Sequence, residues 1–589
     1  MANQMKPFWK NRFERGKTLF VLILLLTMLS MLYYGSRKEG YHVDEIYSYG
    51  LANSEYLPFM HFGESKYDVK DWMLEYGAGE SFGDLFRNLW KDYQILKQCD
   101  FQWRDSVIYK DYVTAQANSS DTKTSSWVSG QEYVDYITVS TSNTFNYASV
   151  YYNQRGDVHP PLYYMVLHTI CSFFQGIFSP WFGLAVNILS LLLTLGVLYR
   201  MVRAYLGGET IALVMTAVYG LSCGMMTTAM YLRMYALMTL MVVTCCAIHL
   251  KIYSEDFELK RKNVTLLMLT VLGGYLTHYY FVLYAIGLAV VFVVLMALRK
   301  KWTAILKYIF SLASAAAVGL CIWPFSIRHV FSGYRGREAM SILRSGGFYM
   351  IRIRLMVQQI IDQVMGGQSW ILWLVLAVVI WGCIRKKVHI LTLEKGAIVF
   401  LPIMFYVLLV SQIVPYFAER YVMCAFPFFC LYELIGFSFF IKKCFKGRWK
   451  VGCTIGVGLL LLVFNNAYLN TPGYLFPGEQ ETVKLPPDTD CIYVLPDGDW
   501  NESAADSTIL AQCRSVAVTY HSSLSSLAAA YEYQSGDFVL VAIQKDMNVE
   551  DVLQEVKELF GLETLKEIER QTGPYAIRIL LYGTPKGKV

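Results

Sequence analysis

Apolar residues run along this chain in long unbroken stretches, and most of the polar residues between them gather into short basic clusters. Runs such as 18–35, 264–298 and 451–464 suit a hydrocarbon layer about 30 Å thick. The pattern predicts spans near 18–35, 181–199, 209–230, 233–250, 264–279, 281–298, 303–322, 369–384, 396–414, 421–440 and 451–468, eleven in all. Residues 1–17 hold five Lys/Arg and one acid, which puts the start on the cytoplasmic side. Arg200/Arg203, Lys260-Arg261-Lys262, Arg299-Lys300-Lys301, Arg385-Lys386-Lys387 and Lys442 to Lys450 then all fall inside. That parity needs the run 161–178 to lie at the outer interface as an aromatic-rich helix. If it crossed, every later basic loop would change sides.

Two segments depart from the alternation. Residues 41–160 carry 17 Asp/Glu against 9 Lys/Arg and are expected outside, as part of a large first loop spanning 36–178. Residues 469–589 read as a separate extracytoplasmic domain. There, Cys491 to Leu495, Ser515 to Thr519, Asp537 to Ile543 and Ala576 to Tyr582 look like short strands, and Val549 to Phe560 like a helix. The fold class expected is therefore a polytopic α-helical membrane protein, residues 1–468, with a small α/β C-terminal domain.

Composition sharpens this picture in three ways. With 55% hydrophobic and only 17% charged residues among 589, the chain is not one soluble core, and no nucleic-acid partner is indicated. The first run lacks a small-residue cleavage site and reads as an anchor. The 13 cysteines show no metal-ligand spacing; most sit in apolar runs as small hydrophobes, and Cys491 and Cys513 are candidates for pairing.

Ionisable residues collect at the expected outer ends of the spans, where they are costly unless paired or functional. Asp44 and Glu45 follow the first span. Asp44 suits a general base or a helix cap; Glu45 suits either help to an acceptor or orientation of the loop. Asp157, in Asp157-Val158-His159-Pro160-Pro161, is a second carboxylate. With Asp44 it would supply hard oxygen ligands for Mg²⁺ or Mn²⁺, so a divalent cation stays open. His159, Arg233, Tyr235, His278 and Arg420 form a candidate phosphate site, since guanidinium forks match phosphate oxygens. Glu419 is the neighbour that would make Arg420 structural, and His168 reads as buried packing. Residues 326–360 add six arginines against one acid, Glu338, on the outer side; among them Arg352 is a candidate phosphate ligand, with headgroup snorkelling as the other reading.

On Asp44-Glu45, His159-Pro160-Pro161-Leu162-Tyr163-Tyr164, Arg233-Met234-Tyr235, Thr277-His278-Tyr279 and Glu419-Arg420-Tyr421 followed by Pro427, the chain resembles the membrane-embedded GT-C glycosyltransferases. It is most similar to the bacterial glycosyltransferase 39 group, which is akin to protein O-mannosyltransferases and the lipid A aminoarabinose transferase. The resemblance covers about residues 18–440. It implies a polyprenyl-phosphate sugar donor, an extracytoplasmic acceptor such as a cell-envelope glycan, lipid or protein, and inversion at the anomeric carbon in a bacterial plasma membrane. It places Asp44 at the position of the family's catalytic acidic residue, in the first extracytoplasmic loop, Asp157 and His159 on the loop closing the site, and Arg233, His278 and Arg420 toward the carrier phosphate. The 60–150 insert and the tail depart from the family pattern. A transporter or flippase of a polyprenyl-linked glycan, a non-catalytic envelope-binding scaffold, and a transferase of phosphoryl-containing headgroups are the alternatives.

Overall fold

The computed structural model describes residues 5–59 and 127–583, with a few residues near 90–97 and without short stretches at 332–333, 346–348, 385–389, 470, 478–483, 498–501, 530 and 532–536. Most of the 60–150 insert and the Arg385-Lys386-Lys387 cluster therefore lie outside the described residues. The chain forms two compact units. One comprises residues 1–36, 158–163 and 183–473; the other comprises 37–157, 164–182 and 474–589.

The first unit is helical. Among the described residues eight helices are long and apolar enough to cross a membrane, nine if one bent pair is a single span. The chain is a polytopic α-helical membrane protein. Two further expected spans are shorter helices, Arg261–Thr277 of 17 residues and Trp370–Ile384 of 15, so eleven crossings remain an expectation. Large apolar side chains stand bare on the helices, among them Phe310, Ile384, Leu460 and Val463, each at least 70% exposed. Apolar surface of that extent suits hydrocarbon rather than water.

Small residues bring the helices close. A Cβ on Gly220 would land 2.8 Å from Thr27 Oγ1, and one on Gly458 would land 2.3 Å from Val214. Such sites let membrane helices pack backbone against side chain. The bent pair, Glu209–Gly220 and Cys223–Met230, turns by 54°. Ser222 caps the second helix through Met225 N. Asn466 from the last helix of the unit repairs the break: its Nδ2 donates to Leu221 O at 3.2 Å, and its Oδ1 accepts from Cys223 N at 2.7 Å. Broken backbone at membrane depth is tolerated only with such partners. In the expected inner loops, Arg203 pairs with Glu209, Lys260 with Glu255, Arg299 with Glu394, and Lys301 with Asp256.

The run expected at the interface forms a helix of 11 residues, Leu162–Ser172. At 1.5 Å per residue that is about 16 Å, half of what a crossing requires.

The second unit is built on a six-stranded mixed sheet. Its strands are β1 (Val128–Ser129), β2 (Thr489–Leu495), β3 (Ser515–Tyr520), β4 (Phe538–Gln544), β5 (Lys566–Thr572) and β6 (Ala576–Tyr582), in the order β1-β3-β2-β4-β6-β5. Strands β3, β2 and β4 run parallel, and β1, β6 and β5 are added antiparallel. Central β2 is buried throughout. The pleat sends alternate residues to opposite faces. Ile492 and Val494 meet Val539, Val541 and the helix Val549–Leu559; Cys491, Tyr493 and Leu495 meet Ile509, Leu510 and Tyr133. The tail thus shares a core with the first loop, through Tyr133 and β1. Cys491 and Cys513 are buried free thiols, so the pairing contemplated from sequence is not formed.

Candidate active site

Asp44 lies in the first turn of a helix, Val43–Asn53, whose other ten residues are all buried. Its start is tightly built. Helix termini leave N–H groups without intrahelical partners, and here His42 fills the capping role. His42 Nδ1 accepts from Asp44 N at 3.1 Å, while Glu45 Oε2 accepts from His42 N at 2.7 Å. This is the reciprocal capping box with histidine in the usual Ser/Thr place. Glu45 also pairs with Lys38 Nζ at 2.9 Å, both side chains being fully buried. Glu45 therefore orients the loop. The Asp44 side chain, by contrast, keeps 33% of its surface exposed, with Oδ2 3.7 Å from His42 Nδ1.

Asp157 is the C-cap of the helix Tyr147–Gly156, its N–H donating to Gln154 O. Burial, then Tyr47 and the Asp157 carboxylate, push the Tyr136 phenol well above its usual range. Tyr136 in turn packs directly on Gly50 of the Asp44 helix. Asp44 and Asp157 thus belong to one unit. Among the described residues, though, no group of three or more His, Cys, Asp or Glu is placed to hold a metal ion.

The other candidates meet inside the helical unit. Arg233 Nη2 lies 3.4 Å from His159 Nε2. The His159 and His278 rings are 5.6 Å apart, and His278 is 5.4 Å from the Tyr235 ring. Tyr235 stacks on Tyr231 at 5.6 Å. The Tyr231 hydroxyl accepts from Arg420 Nη1 at 3.1 Å, and Tyr416 Oη accepts from Nη2 at 2.7 Å. Arg420 also faces the Tyr421 ring at 5.4 Å. Arg233, His278 and Arg420 are all buried. Five residues from four separate stretches, His159, Arg233 with Tyr235, His278 and Arg420, form one continuous cluster.

Local structure explains the meeting. Asn187 Nδ2 holds the carbonyls of Ala229 and Tyr231, where the helix ending at Met230 gives way to the next. That turn presents Tyr231, Arg233 and Tyr235 together. His278 is the C-cap of the helix Arg261–Thr277, and Arg420 lies in a 3₁₀ turn, Glu419–Ala425. Each residue thus sits at an element end, where the side chain projects past the helix. Arg352 is elsewhere. It donates to the carbonyls of Ser411, at 2.9 Å, and of Val414, and it stacks over Phe417 at 4.9 Å. Those contacts tie its helix to the C-terminal end of Ile390–Ile413 and are not part of the cluster. His42, Lys38, Tyr231 and Tyr416 also enter these contacts, and the sequence alone assigns them no role.

No family model matches the chain, and no curated protein matches it. Two solved structures of ArnT from Cupriavidus metallidurans are similar to it. The one bound to undecaprenyl phosphate has a TM-score of 0.41 and 11% identity, and the one in the apo state has 0.42 and 12%. Each similarity covers 72% of this chain and 87% of that one.

Proposed function

We propose that the protein is a GT-C membrane glycosyltransferase that moves a sugar from a polyprenyl-phosphate carrier to an acceptor on the extracytoplasmic side. The observation that carries this reading is a cluster of two buried guanidiniums, a buried and a half-buried imidazole, and stacked tyrosines inside a unit of apolar helices. Buried cationic groups in such surroundings are expensive and mark sites of work. Arg233 meets the His159 imidazole, and Arg420 meets the Tyr231 and Tyr416 hydroxyls; guanidiniums gathered in this way suit phosphate oxygens. A phosphate on a lipid tail matches both the cluster and the apolar helices around it.

The roles follow from the chemistry. The acceptor hydroxyl attacks the anomeric carbon while the Asp44 carboxylate takes its proton. The bond from that carbon to the phosphate oxygen breaks, and its electron pair leaves with the carrier phosphate. Arg233, His159, His278 and Arg420 stabilise the growing negative charge. In-line attack gives inversion. Residues 1–468 carry this chemistry, and 469–589 form an extracytoplasmic domain. The test is purified full-length protein with a panel of polyprenyl-phosphate sugars, following release of free polyprenyl phosphate with and without EDTA. Release with at least one donor, lost in Asp44→Asn protein of normal abundance, is expected. Full release by Asp44→Asn would overturn the role of Asp44.

The bent pair at Leu221–Ser222 is the feature that favours a transporter, because transporters use interrupted helices at their substrate sites. The Asn466 staple across that break argues for a fixed element. Movement of an intact sugar carrier across vesicles without carrier release would establish the transporter instead.

A further inference from the structure

The C-terminal domain has no role in the chemistry above, yet it grips the start of the helix that carries Asp44. Val43 N, the first N–H of that helix, donates to Tyr575 Oη at 3.1 Å. Tyr575 stands in the turn between β5 and β6, immediately before β6, and its own carbonyl accepts from Lys545 N at 2.9 Å. Its hydroxyl is thus referenced to the sheet. The Tyr474 and Tyr575 rings flank the capping His42 edge-on, at 6.0 and 6.2 Å. Tyr474 O accepts from Lys38 Nζ at 2.6 Å, the same ammonium that pairs with Glu45, and Leu475 O accepts from Glu39 N at 2.8 Å.

The fit between these segments is close. A Cβ on Gly40 would fall 3.0 Å from Phe476 Cβ and 3.3 Å from Pro574 Cγ. Tyr474 and Phe476 take φ of 61° and 52°, a left-handed conformation that non-glycine residues seldom adopt and that persists only where surroundings impose it. The helix Val43–Asn53 also packs on the turn Glu502–Asp506 of the tail. Every N–H in the first turn is thereby fixed: Val43 by Tyr575, Asp44 by the His42 side chain, and Glu45 by the His42 carbonyl.

We propose that Tyr575 is a positioning residue for Asp44, and that the C-terminal domain serves the reaction by setting the place of that carboxylate. This rests on the reading of Asp44 as the base. Tyr575 acts through the Val43 amide and the His42 cap. A carboxylate on the first turn of a helix moves with that turn, and displacements well under 1 Å are enough to slow a proton transfer.

The test uses full-length protein in detergent carrying Tyr575→Phe, which keeps the ring against His42 and removes the oxygen that accepts from Val43. With the donor that turns over in the panel assay, kcat is expected to fall about tenfold while KM for the donor holds and the melting temperature stays. Hydrogen exchange at the Val43 amide is expected to quicken about tenfold. Unchanged exchange with unchanged kcat overturns the proposal, and so does a loss of activity no larger than the loss of folded protein. Gly40→Ala is the milder partner variant, pushing the loop off Phe476 and Pro574 by a few tenths of an ångström; it should give the same split, about threefold in kcat. The two readings fail separately. If Asp44→Asn is inactive and Tyr575→Phe is fully active, only the positioning role falls. If no donor turns over, the glycosyltransferase reading falls, and the exchange measurement still decides whether Tyr575 holds the helix.

Discussion

At the scale of single residues, burial separates two carboxylates that look alike in the sequence. Asp44 and Glu45 are adjacent and both follow the first span. Only the fold shows that Glu45 is enclosed with Lys38, while Asp44 is the open residue of its helix. Taking away one member of a buried ion pair strands the other charge and costs about 3–5 kcal/mol. Glu45→Gln should therefore lower folded yield and melting temperature; Asp44→Asn should leave both and remove activity. Detergent-solubilised melts beside the carrier-release assay check both. The capping box was legible in spacing, since His42 and Glu45 stand three apart, but histidine is not a favoured N-cap and hides it. His168 supplies a pH dependence. It is fully buried, and burial lowers its pKa from 6.5 to about 4. The unfolded chain takes up a proton as pH falls through 6.5 while the folded chain does not until about 4, so stability is lost across that window and levels off below it. His168→Phe, which keeps an aromatic edge toward Tyr147, should flatten the acid side of a melting-temperature profile between those two values.

At the scale of elements, periodicity located what is regular and missed what is held by partners. The expected strands at 491–495, 515–519, 537–543 and 576–582 and the helix at 549–560 all appear, within a residue or two. Their residues are β-branched or apolar on buried faces, so pattern and packing agree. Strand β5, Lys-Glu-Ile-Glu-Arg-Gln-Thr, is exposed along nearly its whole length. It gains its conformation from pairing with β6, which no local signal announces. Strand β1 was hidden for the same reason, being two residues of the first loop added to the far edge of a tail sheet. The span at 209–230 was legible as an apolar run but its break was not, because the apolar pattern continues across Leu221 and Ser222 and the residue that repairs it, Asn466, is remote in sequence. Asn466→Leu leaves Leu221 O and Cys223 N without that partner. A buried backbone group so stranded costs about 1–3 kcal/mol. The variant should melt lower in detergent while keeping its carrier-release activity per folded molecule; an unaltered melt would mean that the break is satisfied in another way.

At the scale of the whole molecule, charge and length together decide on which side each loop lies. The sequence places the basic loops inside only if residues 161–178 do not cross, and the helix found there, Leu162–Ser172, has 11 residues, too few for a layer of about 30 Å. Those two facts are independent, since one concerns lysines and arginines in later loops, from Arg200 onward, and the other concerns only rise per residue. Together they predict Gln131 and Arg337 outside and Lys300 inside. All three side chains are exposed, so each position can report when replaced by cysteine, after Cys99 and Cys383 and, among the described residues, the exposed thiols Cys321 and Cys444 are changed to serine. A membrane-impermeant maleimide should label Gln131→Cys and Arg337→Cys in intact cells, and Lys300→Cys only after permeabilisation. Were Leu162–Ser172 part of a crossing, Gln131 and Lys300 would label together and Arg337 would not. That outcome would turn residues 326–360 and their six arginines to the cytoplasm, remove the reason for a lipid-borne donor, and leave nucleotide sugars as the natural source of the transferred group.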